Sequence, residues 1–216
     1  MNKRHFISAT ILLALGSAPA VAEEKWFVRP YLGLSQMSDL SSDFTDIDML
    51  SGRADIDLDT GFTGGLGLGY RYTDKLAVEF GWEYRSNDAE TTLNDVSEFD
   101  EGNYASNIFY LNGHYFFDKI DKWQPYVGAG LTWVEEIDID LERGDRELSY
   151  SGDGDTGYQV FGGLNYDLSE SWKLQSELRY GSITGIDLEG EGSDSGAFDG
   201  IDYETTTLQI GLGYDF

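Results

Sequence analysis

Residues 204–216, E-T-T-T-L-Q-I-G-L-G-Y-D-F, alternate without a break. Thr206, Leu208, Ile210, Leu212, Tyr214 and Phe216 share one face, and Thr205, Thr207, Gln209, Gly211, Gly213 and Asp215 share the other. A period of two is that of a strand whose two faces meet different surroundings. Here it continues to a terminal aromatic, so the sequence asks for a sheet with one apolar and one polar side.

Seven further segments repeat the pattern, at 26–35, 61–72, 76–85, 104–117, 123–134, 157–168 and 172–181. The third is the cleanest: Leu76, Val78, Phe80, Trp82 and Tyr84 alternate with Ala77, Glu79, Gly81, Glu83 and Arg85. All five Trp (26, 82, 123, 133 and 172) fall on the apolar face. Short turns at 73–75, 118–122 and 169–171 alternate with long polar connections. The polar face carries both signs of charge among many Gly, the inverse of a soluble barrel with an apolar interior. An apolar outer band with aromatic girdles, short turns at one end and long loops at the other describe a transmembrane barrel. The fold class expected is all-β: an eight-stranded antiparallel up-and-down transmembrane β-barrel.

The amino-terminal segment fits an exported chain. Lys3 and Arg4 precede an apolar stretch at 6–15, and Ala20-Val21-Ala22 offers a cleavage site. Residues 1–22 are therefore expected to be a signal peptide and 23–216 one barrel domain. The apolar stretch is too short for a spanning helix. Without Cys no disulfide forms, and no lipid-anchored lipoprotein is expected. The whole chain carries a net charge of −26, which makes nucleic acid an unsuitable partner.

W-Q-P-Y-V-G-A-G at 123–130, S-E-L-R-Y-G at 176–181 and the closing L-G-Y-D-F resemble the OmpA-type eight-stranded outer-membrane barrel family. The likeness covers the strands and not the loops, and extends to no periplasmic peptidoglycan-binding domain. Tyr214 and Phe216 resemble the carboxy-terminal assembly signal of such barrels. The resemblance implies a bacterial outer-membrane location, with lipid, lipopolysaccharide and the barrel-assembly machinery as partners. It also implies a structural, adhesive or protective role in the envelope. A small cation-preferring pore or solute conduit is the alternative.

Three sets of residues carry candidate chemistry. Arg29, Glu79, Glu83, Arg85, Glu177 and Arg179 point inward and are expected to form a charge network, because ionised groups in a narrow barrel need partners. A plug is favoured over a gate. His114, the single His of the mature chain, lies near a short turn, far from outer-leaflet lipid. It is read as an interior polar residue, with no cofactor and no enzyme expected. The long loops hold 29 of the 40 carboxylates. Asp55, Asp57 and Asp59 continue the polar face of the second segment, and Glu136, Asp138 and Asp140 alternate with Ile137, Ile139 and Leu141. These six are expected to line the inside of an acidic mouth and to bind Ca²⁺ weakly, hard oxygen ligands suiting that ion. Pairing across Gly144-Asp145 is expected to set Leu141 beside Leu148 and Ile139 beside Tyr150. Arg143-Gly144-Asp145 also spells a tripeptide that some adhesive proteins use, a weak pointer to a surface ligand.

Overall fold

The computed structural model describes residues 25–47, 49–94, 97–99 and 101–216. The expected signal peptide lies outside them. The alternating segments form strands: β1 (Trp26–Met37), β2 (Leu40–Ile47), β3 (Leu50–Leu58), β4 (Gly61–Arg71), β5 (Leu76–Leu93) and β6 (Ser97–Phe99). They continue with β7 (Glu101–Phe116), β8 (Trp123–Arg143), β9 (Arg146–Gly152), β10 (Thr156–Asp167), β11 (Trp172–Gly190) and β12 (Ala197–Asp215). All pairings are antiparallel.

The pairings close two rings, one above the other. In the lower ring the order is β1-β4-β5-β7-β8-β10-β11-β12 and back to β1. In the upper ring β2 and β3 replace β1 and β4 between β12 and β5, and β9 replaces β10 between β8 and β11. Each ring has eight strands, and β5, β7, β8, β11 and β12 run through both. The length of β8 shows why a second ring exists. Its 21 residues exceed the roughly 9–11 that a tilted strand needs to cross a bilayer. The surplus must pair somewhere, and β9 supplies the partner.

The lower ring has an apolar exterior, with Leu32, Phe62, Leu131, Leu178, Leu208 and Ile210 exposed. Aromatic contacts ring its turn-bearing end: Trp26 on Tyr70, Trp123 on Tyr166 and Trp172 on Tyr214. Higher up, Trp133 packs against Phe80 and Phe109 on the same outer face. The lower interior is polar, and the inward glycines of β4 make room for it. A Cβ at Gly67 would run into the Glu79 side chain, and one at Gly69 into the Phe27 ring.

The upper ring reverses this. Leu40, Phe44, Ile56, Leu58, Ile137, Ile139, Leu141, Tyr150, Leu188 and Phe198 are buried in one cluster inside it. The carboxylates lie on the outer wall. The expectation that Asp55, Asp57, Asp59, Glu136, Asp138 and Asp140 line the mouth is therefore overturned. The cause is a pair of one-residue slips, each of which turns a strand's faces over. On β8, Glu136 pairs with Asn107 and Val134 with Ile108, so Glu135 is an extra residue. Between β3 and β4, Leu58 pairs with Ala89 but Phe62 with Ser86, so four steps match three. Above each slip the apolar residues point in. The hairpin of β8 and β9 has Leu141 opposite Leu148 and Ile139 opposite Tyr150, as its turn chemistry indicates, with Gly144 at a φ of 61°. Its apolar side faces the interior, opposite to the outward face that the sequence pattern alone suggests.

Candidate functional site

The alternation of β1, β5 and β11 aims Arg29, Glu79, Glu83, Arg85, Glu177 and Arg179 into the lower ring, and the structure brings all six together. Arg29 donates to Glu79 Oε1 at 2.5 Å, to Glu177 Oε2 at 3.1 Å and to Gln175 Oε1 at 2.6 Å. Arg179 donates through Nε and NH2 to Glu177 Oε1 at 3.0 and 2.7 Å, and through NH1 to Glu83 Oε2 at 3.2 Å. Arg85 spans Glu83 Oε1 and Ser35 Oγ, both at 2.6 Å. Tyr31, Tyr110 and Tyr126 donate to Glu83, Glu79 and Glu177 at 2.9, 3.0 and 2.8 Å. Three positive and three negative side chains cancel, and all are buried. These mutually neutralised charges form a floor of paired side chains across the lower ring.

His114 is buried beneath that floor. It sits among Phe27, Phe116, Tyr126 and Phe161, with its Nε2 3.7 Å from Glu79 Oε2. Above the floor the interior becomes apolar. Tyr203 marks the change, its hydroxyl on Ser106 at 3.1 Å and its ring against Tyr104. From there to the rim the inner face is mainly aliphatic and aromatic, with Ser42, Asn87 and Thr91 among it.

The wall of the upper ring has two places where pairing lapses. Rungs between β1 and β12 end at Met37 and Thr205, and those between β2 and β12 begin only at Asp43 and Asp199. Rungs between β10 and β11 end at Gly157 and Ile183, and those between β9 and β11 resume at Ser151 and Glu189. Both lapses lie just above the apolar outer band. The sequence signals for them are Gly185 and Gly200, at φ of 74° and 71°, which interrupt the alternation.

The carboxylates sit outside this wall. Asp55 accepts from Ser41 Oγ and contacts Arg53, and Asp140 accepts from Ser149 Oγ. Burial, with Glu136, Glu191 and Asp140 nearby, pushes the Asp138 carboxyl up to about 7. Burial, with Asp187 and Asp153, also raises Asp155. Among the described residues no three acidic or His side chains converge to hold a metal ion, so the two carboxylate triplets remain separate rows on the surface. The tripeptide at 143–145 is an exposed turn whose Arg143 lies over the Phe99 ring at 4.3 Å. Tyr214 and Phe216 stack on one another at the turn-bearing end.

Residues 8–216 match the family model described as outer membrane protein beta-barrel domain. The chain belongs to this family. It is an integral protein of the bacterial outer membrane. It is 23% identical to outer membrane protein W of Vibrio cholerae serotype O1 over 221 residues, covering 99% of this chain and all of that one. Its identity to outer membrane protein AlkL of Ectopseudomonas oleovorans is 28% over 167 residues, 76% of this chain and 70% of that one. The crystal structure of OprG from Pseudomonas aeruginosa superposes with a TM-score of 0.66 at 18% identity, covering 89% and 95% of the two chains. In this family the turn-bearing end faces the periplasm, so the upper ring stands outside the cell.

Proposed function

We propose that the protein admits small apolar solutes from outside the cell into the upper ring and releases them sideways into the outer membrane. The observation that carries this reading is the reversal of the interior, from a neutralised charge network to a mainly apolar cluster. A solute that dissolves in the upper interior meets a floor that offers it only polar contacts, so continuing downwards is unfavourable. The lapses in pairing beside β12 and β11 lie on the side where lipid begins, and on this reading they are the places where the wall parts. No catalytic step belongs to this role. The cation-preferring pore has no support in the geometry, because the floor crosses the lumen with all its charges paired.

A surface-interaction role in the envelope is the second reading. It is favoured by the acidic outer wall, which needs no solute path. Uptake separates the two. Cells making the protein are expected to take up the apolar fluorophore N-phenylnaphthylamine faster than cells without it, with glucose uptake unchanged. Equal rates for the fluorophore would leave only the surface role.

A further inference from the structure

At the periplasmic end the lower ring opens into a cavity of about 410 Å³, within the range of ligand clefts, which is roughly 300–1,000 Å³. Arg71, Lys75, Lys119 and Lys173 line it, with Asp74, Asp118 and Asp215 as the acidic side chains. In a chain of net charge −26 a lining with more cations than anions is a local exception. The cations differ in how they are satisfied. Lys75 is 2.8 Å from Asp118, and Lys119 is 2.6 Å from Asp167, both at the rim. Lys173 is in close contact with Asp215.

Arg71 is different. Its side chain is 16% exposed, and its Nε, like those of Arg29 and Arg85, is buried with no hydrogen-bond partner among the described residues; unlike theirs, its guanidinium is given no hydrogen bond to a carboxylate. Its one ion-pair contact there is from NH2 to Asp215 Oδ1 at 3.7 Å, and that carboxylate is already engaged by Lys173. The guanidinium is held in place by the rings of Phe27 and Phe116, at 5.3 and 4.5 Å. The three other lumenal arginines all donate to carboxylates. A guanidinium whose terminal nitrogens meet one carboxylate only at 3.7 Å, held by aromatic rings at the inner end of an open cleft, has donors left for a further acceptor.

We propose that this periplasmic cleft binds an anion through Arg71, and that the ligand class is a carboxylate bearing an apolar substituent. Two carboxylate oxygens match the edge of a guanidinium, and Phe117 gives the substituent an apolar border. Lys75 and Lys119, about half exposed, draw the anion to the rim. The floor formed by Arg29, Glu79 and Glu177 lies beyond, so the ligand docks and does not pass. The inference is independent of solute uptake above the floor.

The test is NMR of the Arg71 Nε–Hε signal in the full-length mature protein in nanodiscs, titrated with butyrate, inorganic phosphate and chloride at equal ionic strength. Butyrate is expected to give a saturable shift that chloride does not reproduce and that phosphate matches only at higher concentration. Binding to the folded protein is also followed calorimetrically. Arg71→Gln should weaken it by at least about tenfold, the loss of one hydrogen-bonded charge contact. Lys75→Gln with Lys119→Gln, at exposed positions that tolerate change, should weaken it by a smaller factor. That double variant supplies the comparison should Arg71→Gln not fold. A signal that butyrate leaves unmoved, or that chloride moves equally, overturns the site. Phosphate binding as tightly as butyrate overturns the carboxylate assignment.

Discussion

Replacing Glu177 by Leu is the sharpest perturbation of the floor. Its carboxylate accepts five hydrogen bonds, one from Arg29, two from Arg179 and one each from Tyr126 and Gln209. Breaking a buried ion pair from one side costs about 3–5 kcal/mol, mostly because the partner's charge is left unbalanced. Here neither arginine is stranded: Arg29 keeps Glu79 and Gln175, and Arg179 keeps Glu83. The expected loss is therefore at the lower end, about 3 kcal/mol, or about a hundredfold in the unfolding equilibrium. Urea unfolding of the folded protein in lipid, followed by Trp fluorescence, measures it. Adding Arg179→Leu restores neutrality, with Arg29 and Arg85 facing Glu79 and Glu83. The double variant should then lose less than the sum of the two single losses by more than 1 kcal/mol. A single loss below about 1 kcal/mol, with additive doubles, would show that the charges are not coupled and would refute the floor.

Three further outcomes are expected. The Asp138 carboxyl, raised to about 7 from an ordinary value of 3.8, binds its proton more tightly folded than unfolded. Its contribution to stability must then fall as pH rises from about 4 to about 7, and Asp138→Asn should remove that contribution from the slope of thermal midpoint against pH in that window. Ca²⁺ should raise the thermal midpoint no more than NaCl at equal ionic strength, because no three carboxylates converge among the described residues; a larger shift with Ca²⁺ would restore a specific site. Deleting Glu135 should put Ile137, Ile139 and Leu141 on the outer wall, so proteinase K should cut the upper ring while leaving the membrane-embedded ring intact.

The lower ring was legible in the sequence because lipid outside and charge inside impose opposite chemistries on alternate residues. Its eight segments, the inward Glu79, Glu83 and Arg85, and the outward Trp all follow from that contrast. The β8–β9 register was legible too, since a Gly-Asp turn fixes which residues face each other. What the period of two does not carry is a change of phase. Extending it past Val134 sends Ile137 outward, whereas the bulge at Glu135 brings it in. The available signal was the spacing of Val134 and Ile137, three apart with two carboxylates between, which no unbroken strand places on one face. The Asp59-Thr60 slip has a weaker mark, since both residues are polar. The inner face of β2, with Leu40, Ser42 and Phe44, is too short and mixed to stand out from a loop. Arg71 could be assigned to the lumen, but its loose contact with Asp215 depends on Lys173 reaching that carboxylate from another strand.

The central claim is that the interior turns from charged to apolar as β3 and β8 rise out of the membrane. The chain has no native Cys, so single cysteines can be placed along both strands and probed on intact cells with a membrane-impermeant maleimide. Cysteines at Asp57, Glu136, Asp138 and Asp140 are predicted to label, and those at Ile56, Leu58, Ile137, Ile139 and Leu141 to stay protected. The opposite pattern, with the apolar positions labelled and the acidic ones shielded inside the mouth, would contradict the account.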